Sequence, residues 1–261
     1  MNCISTKNLN ISYGNLDIVK DLNLEIPKGK ITTIIGSNGC GKSTILKTIA
    51  RIIKPKSGDI YVNDKNIKEQ NPRDLAKMMA VLPQSPQAPS GLTVEELIAY
   101  GRFPHQKGFG KLKREDKDIV TWALKSTGIE EFRERSIQDL SGGQKQRAWI
   151  AMALAQQTDI LILDEPTTYL DLAHQLEVLK LLEELNKKQG TTIVMVIHEL
   201  NNAARFADHM IGVKKGEVVC QGSAYEVMTK KNLKELFNID AEIVNDPRTQ
   251  KPVCITYDMV V

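Results

Sequence analysis

The run Gly36-Ser37-Asn38-Gly39-Cys40-Gly41-Lys42-Ser43, followed by Thr44, sets its glycines, lysine and hydroxyl at the offsets of a phosphate-binding P-loop, GxxxxGK and then Ser. Glycines let backbone N–H groups turn toward a phosphate chain, an opening helix adds its unpaired donors and positive dipole end, and Lys42 adds a point charge. Ser43 is then placed to offer its hydroxyl to Mg²⁺. Further on, Ser141-Gly142-Gly143-Gln144 repeats the theme, a hydroxyl and glycines ahead of a helix-forming run. Two carboxylates, Asp164 and Glu165, close the apolar run Ile160-Leu161-Ile162-Leu163. At the C-terminal end of a strand the first suits a metal and the second suits orienting and deprotonating a water for attack on a γ-phosphoryl group. His198 follows another apolar run, Thr191 to Ile197, where a γ-phosphate contact is expected. Tyr13, beside the turn residues Gly14 and Asn15, is placed either to stack on a purine or to pack a strand edge.

These side chains need elements to hold them. Ile31 to Ile35 reads as a buried strand feeding the P-loop, and Ser43 to Ile52 as the helix after it. Strands are expected over Ile4 to Ile11, Leu22 to Ile26, Asp59 to Asn63 and Met79 to Leu82, the last ending near Gln84. From Ser85 to about Leu140 the character becomes helical. Thr93 and Glu96 form a capping box, Gly108-Phe109-Gly110 interrupts the chain, and Glu115 to Ser126 carries Ile119, Trp122, Ala123 and Leu124 as buried positions. Lys145 to Ala155 continues the Ser141 turn as a helix. Leu170-Asp171 opens another with an apolar stripe of Leu172, Leu176, Leu179, Leu182 and Leu185, stopping at Gly190. Asn201 to Ala207 and Ala224 to Phe237 read as helices, Ile211 to Gln221 as a hairpin around Lys214-Lys215-Gly216, and Ala241 to Tyr257 as alternating strand without assignable chemistry.

Bulk properties narrow the class. The chain has 261 residues, long enough for one large domain or two small ones, and its 41% hydrophobic content allows a sizeable core. A net charge of +3 gives no basic stripe for nucleic acid, and the cluster Lys107, Lys111, Lys113, Arg114 runs straight into Glu115, Asp116 and Asp118, as a solvated face does. No apolar run reaches membrane-span length and the N-terminus lacks a signal-peptide core, so a cytoplasmic location is expected. Cys3, Cys40, Cys220 and Cys254 are scattered without a CxxC pair, which suggests neither zinc nor disulfides. Cys40, inside the P-loop, reads as a small tolerated residue, although an alkylated thiol there would block nucleotide.

Taken together, the motifs make the chain resemble the nucleotide-binding domain of ABC transporters over essentially its whole length. Gly36 to Ser43 is similar to Walker A, Leu140 to Gln144 to the signature and Ile160 to Glu165 to Walker B. Tyr13 matches the A-loop, Gln84 the Q-loop, Leu170-Asp171 the D-loop and His198 the H-loop. The resemblance implies an α/β P-loop NTPase fold: a RecA-like core with an antiparallel β subdomain (about 1–84 and 159–221), an inserted helical subdomain (about 85–158) and a C-terminal extension (about 222–261). It implies ATP and Mg²⁺ as ligands. Lys42 would serve the β and γ phosphates, Ser43, Gln84 and Asp164 the metal, Glu165 the attacking water and His198 the γ-phosphate. Gly36, Ser37, Asn38, Gly39, Cys40, Gly41 and Thr44 would line the phosphates, and Tyr13 the adenine. Ser141, Gly142, Gly143 and Gln144 would act at the nucleotide of a second, head-to-tail copy, and Asp171 would be a further nucleotide-binding residue. The implied partners are that second copy, integral-membrane permease subunits reached through the Gln84 region, and indirectly a substrate-binding protein, at the cytoplasmic face of a bacterial membrane. Within the family, Gln84 to Gln87, Gly101-Arg102-Phe103-Pro104-His105 and Thr167-Thr168-Tyr169-Leu170-Asp171 resemble the ATPases of ferric siderophore, haem and cobalamin importers. The expected activity is ATP hydrolysis driving uptake of an iron chelate, with a haem or cobalamin importer or an exporter as alternatives. Tyr169 stands where smaller residues are frequent.

Overall fold

A computed structural model describes residues 2–106 and 112–260. The interruption expected at Gly108 to Gly110, and Lys107 and Lys111 of the basic cluster, lie outside the described residues. The chain divides into two compact units, residues 1–70 with 186–261, and residues 71–185.

In the first unit, Asn2–Tyr13 is the spine of an antiparallel sheet, pairing with Leu16–Leu22, Glu25–Pro27 and Ser57–Val62. A second group of strands is built around Ile31–Ile35, flanked in parallel by Thr192–Val196 and His209–Lys214. Every residue of Ile31–Ile35 and of Thr192–Val196 is buried, as expected of parallel strands covered on both faces. Glu217–Gly222 returns antiparallel to His209–Lys214, as the Lys214-Lys215-Gly216 turn suggests. The expected C-terminal alternation forms an antiparallel hairpin, Ile239–Asn245 with Pro252–Met259, held to the helix Leu200–Phe206 by both amide atoms of Asn201 on the Cys254 backbone, at 3.0 and 2.9 Å.

Ala224 to Phe237 is not one helix but two, Ala224–Val227 and Lys230–Phe237. Thr229 ends the first by opening the second: its Oγ1 accepts from Asn232 N at 3.2 Å, while Asn232 Nδ2 donates to the Glu226 and Val227 carbonyls.

In the second unit, Met79–Leu82 and Ile160–Asp164 run parallel in register, Leu82 opposite Leu163. Helices Val94–Ala99, Arg114–Ser126 and Gly142–Ala155 pack together, and the Thr93–Glu96 capping box is present. On Arg114–Ser126 the buried residues are Asp116, Val120, Ala123 and Leu124, whereas Ile119 and Trp122 are half-buried. Asp116 leaves the expected solvated face because Arg102, 5% exposed, draws it in with a 2.8 Å ion pair. The same guanidinium donates to the Ala155 carbonyl at 2.7 Å and Gln157 Oε1 at 3.0 Å, so it fixes the C-terminal end of the helix Gly142–Ala155. Gly101, one residue earlier, lies so close that a Cβ would stand 2.1 Å from the Met152 carbonyl oxygen. The Gly101-Arg102 pair is thus a clamp on that helix.

Candidate functional site

The first unit carries the phosphate cradle. Strand Ile31–Ile35 delivers the chain to Gly36, whose Cβ, were it present, would lie 2.1 Å from the Val213 carbonyl oxygen, so only glycine fits. The loop then turns into the helix Lys42–Ile49 through Gly41 at φ +105°, a left-handed N-cap that spares a side chain the steric cost. No side chain caps this helix and no acidic residue occupies its first turn. Its positive end is therefore offered to whatever sits above Ser37, Asn38 and Gly39, which are exposed. Lys42 is 5% exposed and folds back on the loop, donating to the Gly36 carbonyl at 2.8 Å and the Ser37 carbonyl at 3.0 Å. Cys40 is 5% exposed, with Sγ 3.9 Å from Lys42 Nζ, so it fills the inside of the turn.

Two more expected residues belong to this unit. The register pairs Ile34 with Val196, so His198, exposed just beyond that strand, leaves the sheet at the same end as Gly36. Tyr13, 51% exposed, ends the spine strand opposite Leu16, and the strand that follows runs beside the loop, Ile18 Cγ2 being 3.4 Å from a Cβ built on Gly41. An exposed ring there is free to stack rather than committed to the core.

The second unit carries the carboxylates. Asp164 ends its strand and is 4% exposed, and Glu165 follows at 9% in a left-handed backbone, φ +54°. Parallel pairing of Leu82 with Leu163 brings Gln84 off the neighbouring strand at the same end, where Gln84 Nε2 donates to Glu165 Oε2. Thr168 Oγ1 donates to the same oxygen at 3.1 Å. Thr168 has no role in the sequence reading; its signal there was only its place three residues after Glu165, which lets a turn bring it back to that carboxylate. Tyr169 sits at φ +64° and 89% exposed, so its bulk points outward and displaces nothing.

The signature turn lies in this unit too. Ser141 Oγ accepts from Gln144 N at 3.3 Å and Gln144 Oε1 accepts from Ser141 N at 2.9 Å, a closed capping box at the start of Gly142–Ala155. Asp171 Oδ1 accepts from His174 N at 2.9 Å, capping the helix Leu172–Gln189, and also pairs with His174 Nδ1 at 2.7 Å. Those two contacts, the backbone one first, hold the Asp171 carboxyl below its ordinary range. Leu172, expected in the apolar stripe, is 82% exposed, because the buried stripe of that helix begins only at Gln175 and continues through Val178, Leu179, Leu182 and Leu185.

The expected site residues thus fall into two sets: Tyr13, Gly36 to Thr44 and His198 in one unit, and Gln84, Asp164, Glu165, Ser141 to Gln144 and Asp171 in the other. The donors assigned to a metal, the Ser43 hydroxyl, the Asp164 carboxylate and the Gln84 amide oxygen, are all hard oxygens, the kind Mg²⁺ takes while keeping water and phosphate as its other ligands. No cluster of three or more His, Cys, Asp or Glu able to hold a metal by itself occurs among the described residues. No helix there is long and apolar enough to cross a membrane.

Comparison with known proteins follows the same lines. Residues 19–168 match the family model described as ABC transporter. The chain is 64% identical over 260 residues to the iron(3+)-hydroxamate import ATP-binding protein FhuC of Bacillus subtilis (strain 168), covering 100% of this chain and 97% of that protein. It is 50% identical over 254 residues to the petrobactin import ATP-binding protein FpuD of Bacillus anthracis, covering 97% and 93%. Among solved structures it is similar to an ATP-binding cassette, MJ0796, determined as a dimer in a post-hydrolysis state with ADP and phosphate, at a TM-score of 0.74 and 31% identity, covering 84% of this chain and 98% of that one.

Proposed function

The chain belongs to the ABC transporter family, and from that premise we propose that it is the ATP-hydrolysing subunit of a ferric siderophore importer, working as a head-to-tail pair at the cytoplasmic face of a membrane permease. It binds ATP. What supports the pairing most is the contrast between an open phosphate cradle at Gly36 to Thr44 and a signature turn already closed on itself at Ser141 to Gln144. Each copy offers the second to the cradle of the other.

The chain's own groups account for the chemistry. Backbone N–H groups of the loop and the uncapped start of Lys42–Ile49 hold the phosphates, with the Lys42 ammonium turning from its carbonyl partners to the β and γ oxygens. Ser43, Asp164 and Gln84 are the residues to hold Mg²⁺, which when bound neutralises phosphate charge. Glu165 takes the proton of the attacking water, and Thr168 keeps its carboxylate aimed. Gln84 Nε2 also donates to that carboxylate, so Gln84 and Thr168 together position the base, and Gln84 would be a ligand of Mg²⁺ if the metal were bound. His198 contacts the γ-phosphate from the strand beside the loop, and Tyr13 stacks on the adenine.

Gln84 couples this chemistry to the permease. In the same unit the turn clamped by Gly101 and Arg102 holds Tyr100 and Phe103 at the surface, 53% and 64% exposed, an apolar face for a permease helix. A substrate-binding protein delivers the chelate outside, and no nucleic acid is involved. Of the possible cargoes, a hydroxamate siderophore fits the 64% identity best. Uptake of labelled ferric hydroxamate, haem and cobalamin, measured in a bacterium whose own siderophore ATPase has been deleted, tests this. The wild-type chain, given its permease, should restore only the hydroxamate, and Glu165→Gln should restore none, its turnover falling by about 10²- to 10⁴-fold. Restoration of haem or cobalamin alone would reassign the cargo.

A further inference from the structure

We infer that His174 is a positioning residue: its ring ties the signature turn to the D-loop of the same chain and is itself a reason that residue 143 is glycine. This rests on Ser141 to Gln144 being the half-site offered to a partner copy. A Cβ built on Gly143 would lie 2.6 Å from His174 Cδ2, 3.1 Å from Cγ and 3.3 Å from Nε2. The shortest of these is a distance real Cβ atoms essentially never show and the others are tight, so the imidazole is packed directly on the Gly143 backbone. Gly143 is buried although Ser141 and Gly142 beside it are exposed.

The ring is not loose. A carboxylate only accepts, so the 2.7 Å contact between Nδ1 and Asp171 Oδ1 places the proton of the neutral ring on Nδ1. Asp171 therefore holds one edge of the imidazole while the opposite edge bears on Gly143. One helical turn further along both helices, Arg147 and Glu177 form an ion pair, a second rung between Gly142–Ala155 and Leu172–Gln189. With the Ser141–Gln144 box above and the Arg102 clamp at the far end, the signature helix is fixed at both ends and along this side. The signature turn cannot shift against Asp171 without moving the ring. Helix capping explains the His174 N to Asp171 bond, but any residue except proline at 174 supplies that N–H; the imidazole makes the other two contacts at once.

The test is a double-mutant cycle in ATP turnover on the full chain, with ATP affinity of the isolated chain and thermal unfolding recorded for each variant. His174→Ala should lower kcat about fivefold or more with ATP affinity of the isolated chain unchanged. His174→Asn, which keeps a donor near the Nδ1 position but removes the atoms facing Gly143, should recover only part of that loss. Gly143→Ala should be nearly inactive, and adding His174→Asn should raise its turnover about fivefold or more by clearing the collision. A Gly143→Ala defect unchanged by His174→Asn, or a His174→Ala chain with wild-type kcat, would overturn the assignment while leaving the signature's role intact. Wild-type turnover in Gly143→Ala alone would instead remove the signature from the site.

Discussion

Two helices in this chain begin with glycine-rich, phosphate-sized turns, and they end up in opposite states. The helix after Gly36 to Gly41 starts from a left-handed glycine with no side chain over its N–H groups and no acid in its first turn. The helix after Ser141 starts with a complete capping box, a ring beneath Gly143 and an arginine across its far end. One start has no side-chain cap; the other is closed by its own side chains. A self-capped turn is suited to being presented to a ligand held elsewhere, and that difference is the physical reason for proposing that the two belong to opposite chains of one site.

The contrast breaks most sharply on a pair of substitutions. Lys42→Ala should weaken ATP binding by the isolated chain about 10- to 100-fold, the cost of a lost charged contact. Ser141→Arg should leave that affinity unchanged and still cut hydrolysis by about 10²-fold or more, since under the proposed pairing the turn's donors act only on a partner's nucleotide. Equilibrium nucleotide titration beside phosphate release checks both, and an isolated Ser141→Arg chain that lost nucleotide would put the signature and the cradle in one chain. A smaller effect separates the two helix starts by stability. Gly41→Ala forces a side chain into φ +105° against Ile18 and should cost about 1–3 kcal/mol, read as a lowered urea midpoint. Ser141→Ala removes one cap bond and should cost about 1 kcal/mol in the same titration.

The cradle was legible because its chemistry is backbone chemistry: Gly36, Gly41 and Lys42 have few other uses at that spacing, and strand and helix flank them as expected. Asp164 and Gln84 were legible from their places at strand ends, which parallel pairing then made neighbours. The contacts that tune the site were not. Thr168 on Glu165, and His174 on both Asp171 and Gly143, depend on a turn folding three residues back and on two helices meeting, and no apolar period records either event. The stripe through Leu172 misled for the same reason, since periodicity tells which residues share a face but not where along the helix the cover ends. Asp116 read as solvated because its partner, Arg102, is distant in sequence. In the C-terminal segment the split at Thr229 turned on one hydroxyl choosing to cap.

Mixing two inactive chains tests the shared site most directly. The Lys42→Ala chain keeps a sound signature and the Ser141→Arg chain keeps a sound cradle, so an equimolar mixture should form pairs with one intact site and recover about a quarter of wild-type ATP turnover by random pairing of two copies. A mixture that hydrolyses ATP no faster than the average of the two variants assayed alone would contradict a site built from the cradle of one copy and the signature of the other.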